Sequence, residues 1–137
     1  MSSITEIKHN GRIYFTKKEL ACKGTGIIRL APRFADELLA LRLELDEPMN
    51  LTSACRSKSH NTNVGGHPRS LHVCDEPYWP TGGCCAVDVG TTDPAYRARL
   101  IKTALLMGWS VGVHKDFIHL DRGADFSARS EPMLFPY

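Results

Sequence analysis

Ser110-Val-Gly-Val-His-Lys-Asp-Phe-Ile-His-Leu-Asp-Arg122 is the stretch that decides the fold. It places His114, Asp116, His119 and Asp121 within eight residues, among the β-prone apolar side chains Val111, Val113, Phe117, Ile118 and Leu120. Successive side chains of a strand point to opposite faces. An extended segment over 117–121 therefore sets Phe117, His119 and Asp121 on one face and Ile118 and Leu120 on the other. Polar groups kept on one face of an otherwise aliphatic strand need a partner there, and a metal ion is one such partner.

Working outward, residues 109–113 read as a second strand, joined to 117–121 by a tight connection. Upstream, Thr92-Asp93-Pro94 opens a helix, with Asp93 as the N-cap and Pro94 at its first position. Tyr96, Leu100, Thr103, Ala104 and Met107 keep the helical period, and Gly108 closes it. Residues 86–89, Ala-Val-Asp-Val, read as a strand carrying a single acidic side chain. The Pro- and Gly-rich residues 74–85 form a surface excursion, and 55–66 a polar loop or a short capped helix. Residues 49–54 are a strand candidate. Phe34, Leu38, Leu41 and Leu45 recur at helical spacing in 32–46, which predicts a helix stopped by Glu47-Pro48.

At the N-terminus, Asn10-Gly11 before Ile13, Tyr14 and Phe15 signals a hairpin turn. Thr16 and Glu19 fit a capping box opening a short helix. The tail 123–137 shows no period, and Pro132 and Pro136 predict irregular structure there. Short strands cluster late and do not alternate with helices as in a parallel α/β protein. The expected class is α+β, a small antiparallel sheet carrying the polar cluster with helices packed on one side. The 137 residues suit one domain, 1–137.

Composition narrows the function classes. Hydrophobic residues make up 42% and charged residues 23%, ordinary for a globular protein. The net charge of +2 is small and the basic residues are scattered, so a nucleic-acid partner is not expected. Nothing approaches the roughly 18 apolar residues of a membrane span, so no membrane insertion is expected. The first residues lack the apolar core of a secretory signal, which predicts synthesis in the cytoplasm. The five cysteines, at 22, 55, 74, 84 and 85, are odd in number and form no Cys-x-x-Cys pair, against a structural zinc knuckle. Cys74 with Cys84 or Cys85 could close the 74–85 excursion as a disulfide, or all could remain thiols.

A catalytic zinc takes three ligands from His, Asp or Glu and keeps a fourth position for water. His72, Asp88 and His119 are the candidates, each beside or within a β-prone segment. A histidine before a valine is commonly a hydrogen-bonded core residue. An aspartate between valines must be paired or coordinated, and a salt bridge would satisfy it equally. Spacing alone leaves these alternatives open.

Five pieces occur in order: Arg56-Ser57-x-x-His60-Asn61, Val64-Gly65-Gly66, Ser70-x-His72, Ala86-Val87-Asp88-Val89 and Phe117-Ile118-His119-Leu120-Asp121. Together they resemble the zinc D-Ala-D-Ala carboxypeptidase family, which includes phage endolysin peptidases that cut peptidoglycan stem peptides. The opening Phe15-Thr16-x-x-Glu19-Leu20-x-Cys22 is also similar, so the resemblance spans about 14–122. It implies the hedgehog/DD-peptidase-like fold, one Zn2+ ion, His72, Asp88 and His119 as ligands, and Asp116 as catalytic acid/base. It also implies that Arg56 holds the substrate near the scissile carbonyl and that His114 stabilises the transition state. Ser70 and Asp121 would orient ligands; His60 takes no role beyond its loop. One departure stands out. The family usually spaces its first His and Asp as His-x(6)-Asp, whereas His72 and Asp88 lie sixteen apart, around the 74–85 excursion. Tyr78 and Trp79 would then overhang the cleft.

The implied function is zinc-dependent hydrolysis of peptidoglycan stem peptides by a monomer acting on the bacterial cell wall. The leading bond is L-Ala-D-Glu, as in phage lysins that a holin releases from the host cytoplasm. A D,D-carboxypeptidase or dipeptidase of the same family is the alternative. A non-catalytic zinc-binding module, in the virion or on the wall, is the competing class, because the hedgehog signalling domain shares the fold.

Overall fold

Turn and cap residues set most element boundaries in the computed structural model, which describes residues 4–75 and 81–137. In chain order the elements are β1 (Ile7–His9), β2 (Arg12–Phe15), α1 (Lys17–Leu20), α2 (Phe34–Leu45), β3 (Leu51–Ser53), α3 (Lys58–Asn63), β4 (Ala86–Gly90), α4 (Pro94–Leu106), β5 (Ser110–Val113), β6 (Phe117–Asp121), a 3-10 turn (Gly123–Phe126) and β7 (Leu134–Pro136). Asn10 and Gly11 both adopt positive φ, 50° and 79°, which turns β1 back onto β2. The Thr16 hydroxyl accepts from the Glu19 N–H at 3.3 Å while the Glu19 carboxylate accepts from the Thr16 N–H at 3.1 Å, so the capping box forms. The Asp93 carboxylate caps α4 by accepting from the Tyr96 N–H at 3.3 Å. Helix α2 starts two residues later than the sequence pattern predicts, because Arg33 takes a left-handed conformation, φ 67°.

The larger sheet runs β3-β4-β6-β5-β7. Its centre is the antiparallel pair β4 and β6, with Val87 opposite Leu120, Asp88 opposite His119 and Val89 opposite Ile118. Val87, Val89, Val111, Ile118 and Leu120 are completely buried on one face, in one core with Phe34, Leu38 and Leu41 of α2 and Leu100 and Ala104 of α4. Phe34 meets Trp109 edge to face, ring centroids 5.7 Å apart. Each such side chain contributes about 1.5–3 kcal/mol of transfer free energy. The α+β class therefore holds, and the aliphatic face is what commits the opposite face of β4 and β6 to polar residues.

Two expectations are corrected. The sheet is not wholly antiparallel, and the tail is not irregular throughout: β7 adds to β5 in parallel, with Gly112 opposite Phe135. Pro136 lacks an N–H and is confined to edge strands; β7 is the edge, so the proline costs no ladder bond on its open side. Gly112 makes this docking possible. A Cβ there would come within 2.7 Å of the Phe135 ring and 2.9 Å of the Tyr137 ring.

All five cysteines are free thiols. Backbone bonds rather than a disulfide hold the ends of the 74–85 excursion: the Cys74 N–H donates to the Arg56 carbonyl and the Cys84 N–H to the Arg29 carbonyl, at 2.9 and 2.8 Å. Cys55, Cys74 and Cys84 pack together. Tyr78 and Trp79 lie outside the described residues.

Arg122 ties the start of the tail to α2. It bonds both Asp125 oxygens, at 2.9 and 3.0 Å, and also pairs with Glu37. Burial, then the neighbouring Asp125, push the Glu37 carboxyl up from its ordinary 4.5 to about 7. A carboxyl raised on folding contributes stability that is fully present below its unfolded value and is lost as pH climbs through the folded one. The wild-type protein should therefore lose stability from this site between about pH 4.5 and 7. The Tm of Glu37→Gln relative to wild type should rise across that window in thermal denaturation; a pH-independent difference would contradict this account.

Candidate metal centre

Sheet register brings the first two site residues together. Asp88 on β4 and His119 on β6 are direct cross-strand partners, and Asp88 Oδ1 lies 3.1 Å from His119 Nδ1. His72 enters from the segment after Ser70, which is tied to the chain beyond β3 by the Arg56–Val73 bridge. The Ala54 carbonyl can only accept, so His72 Nδ1 carries the proton of that 2.7 Å bond. This turns the bare Nε2 towards Asp88 Oδ1, at 3.1 Å. The sixteen-residue separation of His72 and Asp88 does not keep them apart. Lengthening the connection from the usual spacing costs only about 0.7 kcal/mol of loop-closure entropy.

Each ligand candidate is held from behind. His119 Nε2 donates to Asp121 Oδ2 at 2.8 Å, and Asp121 in turn accepts from Arg129 Nη2 and the Gly123 N–H, both at 2.9 Å. The Asp88 Oδ2 accepts from Arg56 Nη2 at 3.3 Å. His72, Asp88 and His119 are all buried, and one donor atom from each lies within 4.8 Å of the others.

This donor set fits a metal ion. Two imidazole nitrogens whose other ring nitrogens donate elsewhere, and one carboxylate oxygen, aim lone pairs at a common point. Ligand atoms about 2.0–2.1 Å from a tetrahedral zinc stand about 3.3 Å from one another, close to the 3.1 Å separations here. Without a cation the convergence must be relieved by protons. Burial holds His72 below the ordinary histidine range. Burial also opposes charge on His119, but its bonds to Asp121 and Asp88 outweigh that and raise it. Burial works against the Asp88 carboxylate, and His72 and His119 nonetheless hold its carboxyl far below the ordinary range.

The other sequence-predicted residues separate into two groups. Arg56 is brought in, fixed by Ser53 Oγ at 3.1 Å and Asn61 Oδ1 at 3.3 Å as well as by Asp88. Among the described residues three of its five N–H groups are used, which leaves one on each terminal nitrogen. Ser70 supports His72 by accepting from its N–H at 3.3 Å. Asp116 and His114 sit instead in the β5–β6 turn, Asp116 exposed and His114 half-buried. The Asp116 N–H donates to His114 Nδ1 at 3.1 Å, and the His114 ring stacks on Phe117 at 4.2 Å. Among the described residues the Asp116 carboxylate has no partner. His60 packs against Gly24, away from this group.

Sequence reasoning missed Arg129, Phe135 and Tyr137. Tyr137 stacks on the His119 ring, centroids 4.5 Å apart and planes 9° from parallel, and Phe135 tilts against the same ring at 5.9 Å. The alternation of Phe135 and Tyr137 on either side of Pro136 was the available signal for a strand with one aromatic face.

A His/Asp/His group set on the polar face of an α+β sheet, with an arginine beside it, is a centre that could hold a metal ion. The Peptidase M15 family model matches residues 13–121, and the chain belongs to that peptidase family. Its members are metallopeptidases, usually of zinc. No curated protein and no solved structure matches the chain. Arg129, Phe135 and Tyr137 fall beyond the matched span.

If Asp121 sets the tautomer and orientation of His119, Asp121→Asn should weaken zinc binding by about 10- to 100-fold. Competition with a chromophoric chelator measures this. Affinity equal to wild type would show that His119 does not need its carboxylate.

Proposed function

We propose that the protein is a zinc peptidase that hydrolyses peptide bonds in peptidoglycan stem peptides, on a hedgehog/DD-peptidase-like fold. The convergence of His72, Asp88 and His119 beside Arg56 supports this reading most directly, together with family membership. The leading bond is L-Ala-D-Glu, in the manner of a phage endolysin acting on the cell wall. That choice rests on the resemblance of the Ser70-x-His72, Ala86-x-Asp88 and His119-x-Asp121 motifs.

His72, Asp88 and His119 would hold the ion. Bound there, zinc supplies Lewis acidity and lowers the pKa of a coordinated water to about 7. Asp116 takes the proton of the attacking water and returns it to the leaving amine. Its carboxylate suits this role because no described residue occupies it. It also stands three residues before His119, on the turn that leads into β6. Arg56 turns its two unused N–H groups to the charge developing on the carbonyl oxygen. Its anchoring by Ser53, Asn61 and Asp88 removes the cost of ordering it during the reaction. His114 adds a donor through Nε2, since its Nδ1 already accepts from Asp116.

Purified Gram-negative peptidoglycan digested with and without a chelator tests the whole reading. Chelator-sensitive appearance of new D-Glu amino termini by mass spectrometry is expected. Release of D-Ala instead would identify a D,D-carboxypeptidase. Absence of cleavage by zinc-loaded protein would leave a binding module. Within the same assay, Asp116→Asn should lower kcat by about 10²–10⁴-fold at unchanged zinc content. Near-normal turnover would remove Asp116 from its role.

A further inference from the structure

A cavity of about 170 Å³ opens beside His119. Arg69, His67, Ser70, Arg129 and Tyr137 line it, and no acidic side chain among the described residues does. Its two arginines are in different electrostatic states. Arg129 is committed to Asp121, donating from Nε at 3.1 Å and from Nη2 at 2.9 Å, and lies over the Phe135 ring at 4.6 Å. Arg69 has no carboxylate partner and no side-chain hydrogen bond among the described residues; only its backbone N–H is used, donating to His67 Nδ1 at 2.9 Å. Ser70 Oγ accepts from the His72 N–H, so its own O–H remains to donate. The cavity therefore presents, next to the candidate metal ligands, an exposed guanidinium with no carboxylate partner among the described residues, and a hydroxyl donor. A planar anion is the ligand such a fork matches, with two parallel N–H···O bonds.

We propose that this cavity is the subsite for a carboxylate of the peptide substrate, with Arg69 as the residue that recognises it. This rests on the peptidase reading above and narrows it to acidic peptides that carry a free carboxylate near the cleaved bond. An L-Lys stem tetrapeptide offers two kinds, the α-carboxylate of D-Glu and the terminal carboxylate. Both are chemically equivalent ligands for Arg69. The cavity is built partly from Arg129 and Tyr137, beyond the family-matched residues, so the carboxylate preference belongs to this chain's own tail as well as to its peptidase body.

The test compares two zinc-loaded proteins, one with Asp116→Asn alone to suppress turnover and one with Asp116→Asn and Arg69→Ala. Each is titrated calorimetrically with an L-Ala-γ-D-Glu-L-Lys-D-Ala tetrapeptide and with its analogues amidated at the glutamate, at the C-terminus, or at both. A charge-assisted hydrogen bond predicts about tenfold tighter binding of the peptide with the recognised carboxylate free. Arg69→Ala should abolish that preference while zinc content stays the same. The singly amidated analogues identify which carboxylate is read. Equal binding of all four peptides by the Arg69-containing protein, including no binding at all, overturns the proposal. So does a preference that survives Arg69→Ala. A carboxylate preference without cleavage by the unmutated protein would keep the subsite and sink the peptidase function. Cleavage without the preference would do the reverse.

Discussion

The buried carboxylate of Asp88 is the constraint around which the site is arranged. An ionised carboxylate taken out of water costs several kcal/mol unless charge and hydrogen bonds compensate it. Here the Arg56 guanidinium after β3 supplies the opposite charge, while His72 from the loop beyond α3 and His119 across the β4–β6 ladder each bring a ring nitrogen to 3.1 Å from the other oxygen. The same carboxylate therefore fixes Arg56 and meets the loop that carries His72. A one-residue slip in the β4–β6 register would move Asp88 into the aliphatic core and a valine to the polar face. The buried charge and the buried Val87, Val89, Ile118 and Leu120 thus select one register together, each penalising the alternative for a different reason.

The opposite charges continue outward from Asp88 in a line. Arg56 pairs with Asp88, Asp88 contacts His119, His119 donates to Asp121, and Asp121 is closed by Arg129. Arg129 belongs to the tail, and so does Tyr137, whose ring covers His119. The C-terminal strand is thereby part of the site's support and not an appendage. Gly112 is the small feature on which this depends, because any side chain there would strike the Phe135 and Tyr137 rings.

What could be read from the chain and what could not follows from how far each signal reaches. Capping at Thr16 and Asp93, the Asn10-Gly11 turn and the alternation over 117–121 are local, and the residues concerned state them directly. The convergence of His72 with Asp88 was visible only as motif order, because sixteen intervening residues hide a long-range pairing from any periodicity argument. The tail was misread because two prolines argue against a central strand. They do not argue against a parallel edge strand, whose partner, Gly112, is remote in sequence. Arg129 as the clamp on Asp121 had no local signal at all, being an arginine among several in a polar segment. Asp121 itself was recognisable as a candidate ligand-orienting carboxylate only through the family resemblance that the His119-x-Asp121 motif helps to carry.

The charge count of the finished cluster bears on what it can do. With His72 and His119 neutral, Asp88 and Asp121 are each matched by one arginine, Arg56 and Arg129, so the protein groups sum to zero. Many metal centres instead surround their cation with unmatched carboxylates, which cancels its charge. Here a dication held by His72, Asp88 and His119 would leave the cluster net positive in a buried setting, where the effective dielectric is well below that of water. That excess favours an anion at the open position over a neutral ligand. Hydroxide and a carbonyl oxygen gaining charge are both such anions. The two arginines therefore do more than hold carboxylates in place. By matching the negative charge in advance, they would preserve the Lewis acidity of an ion held there, which a less carefully balanced set of ligands would quench.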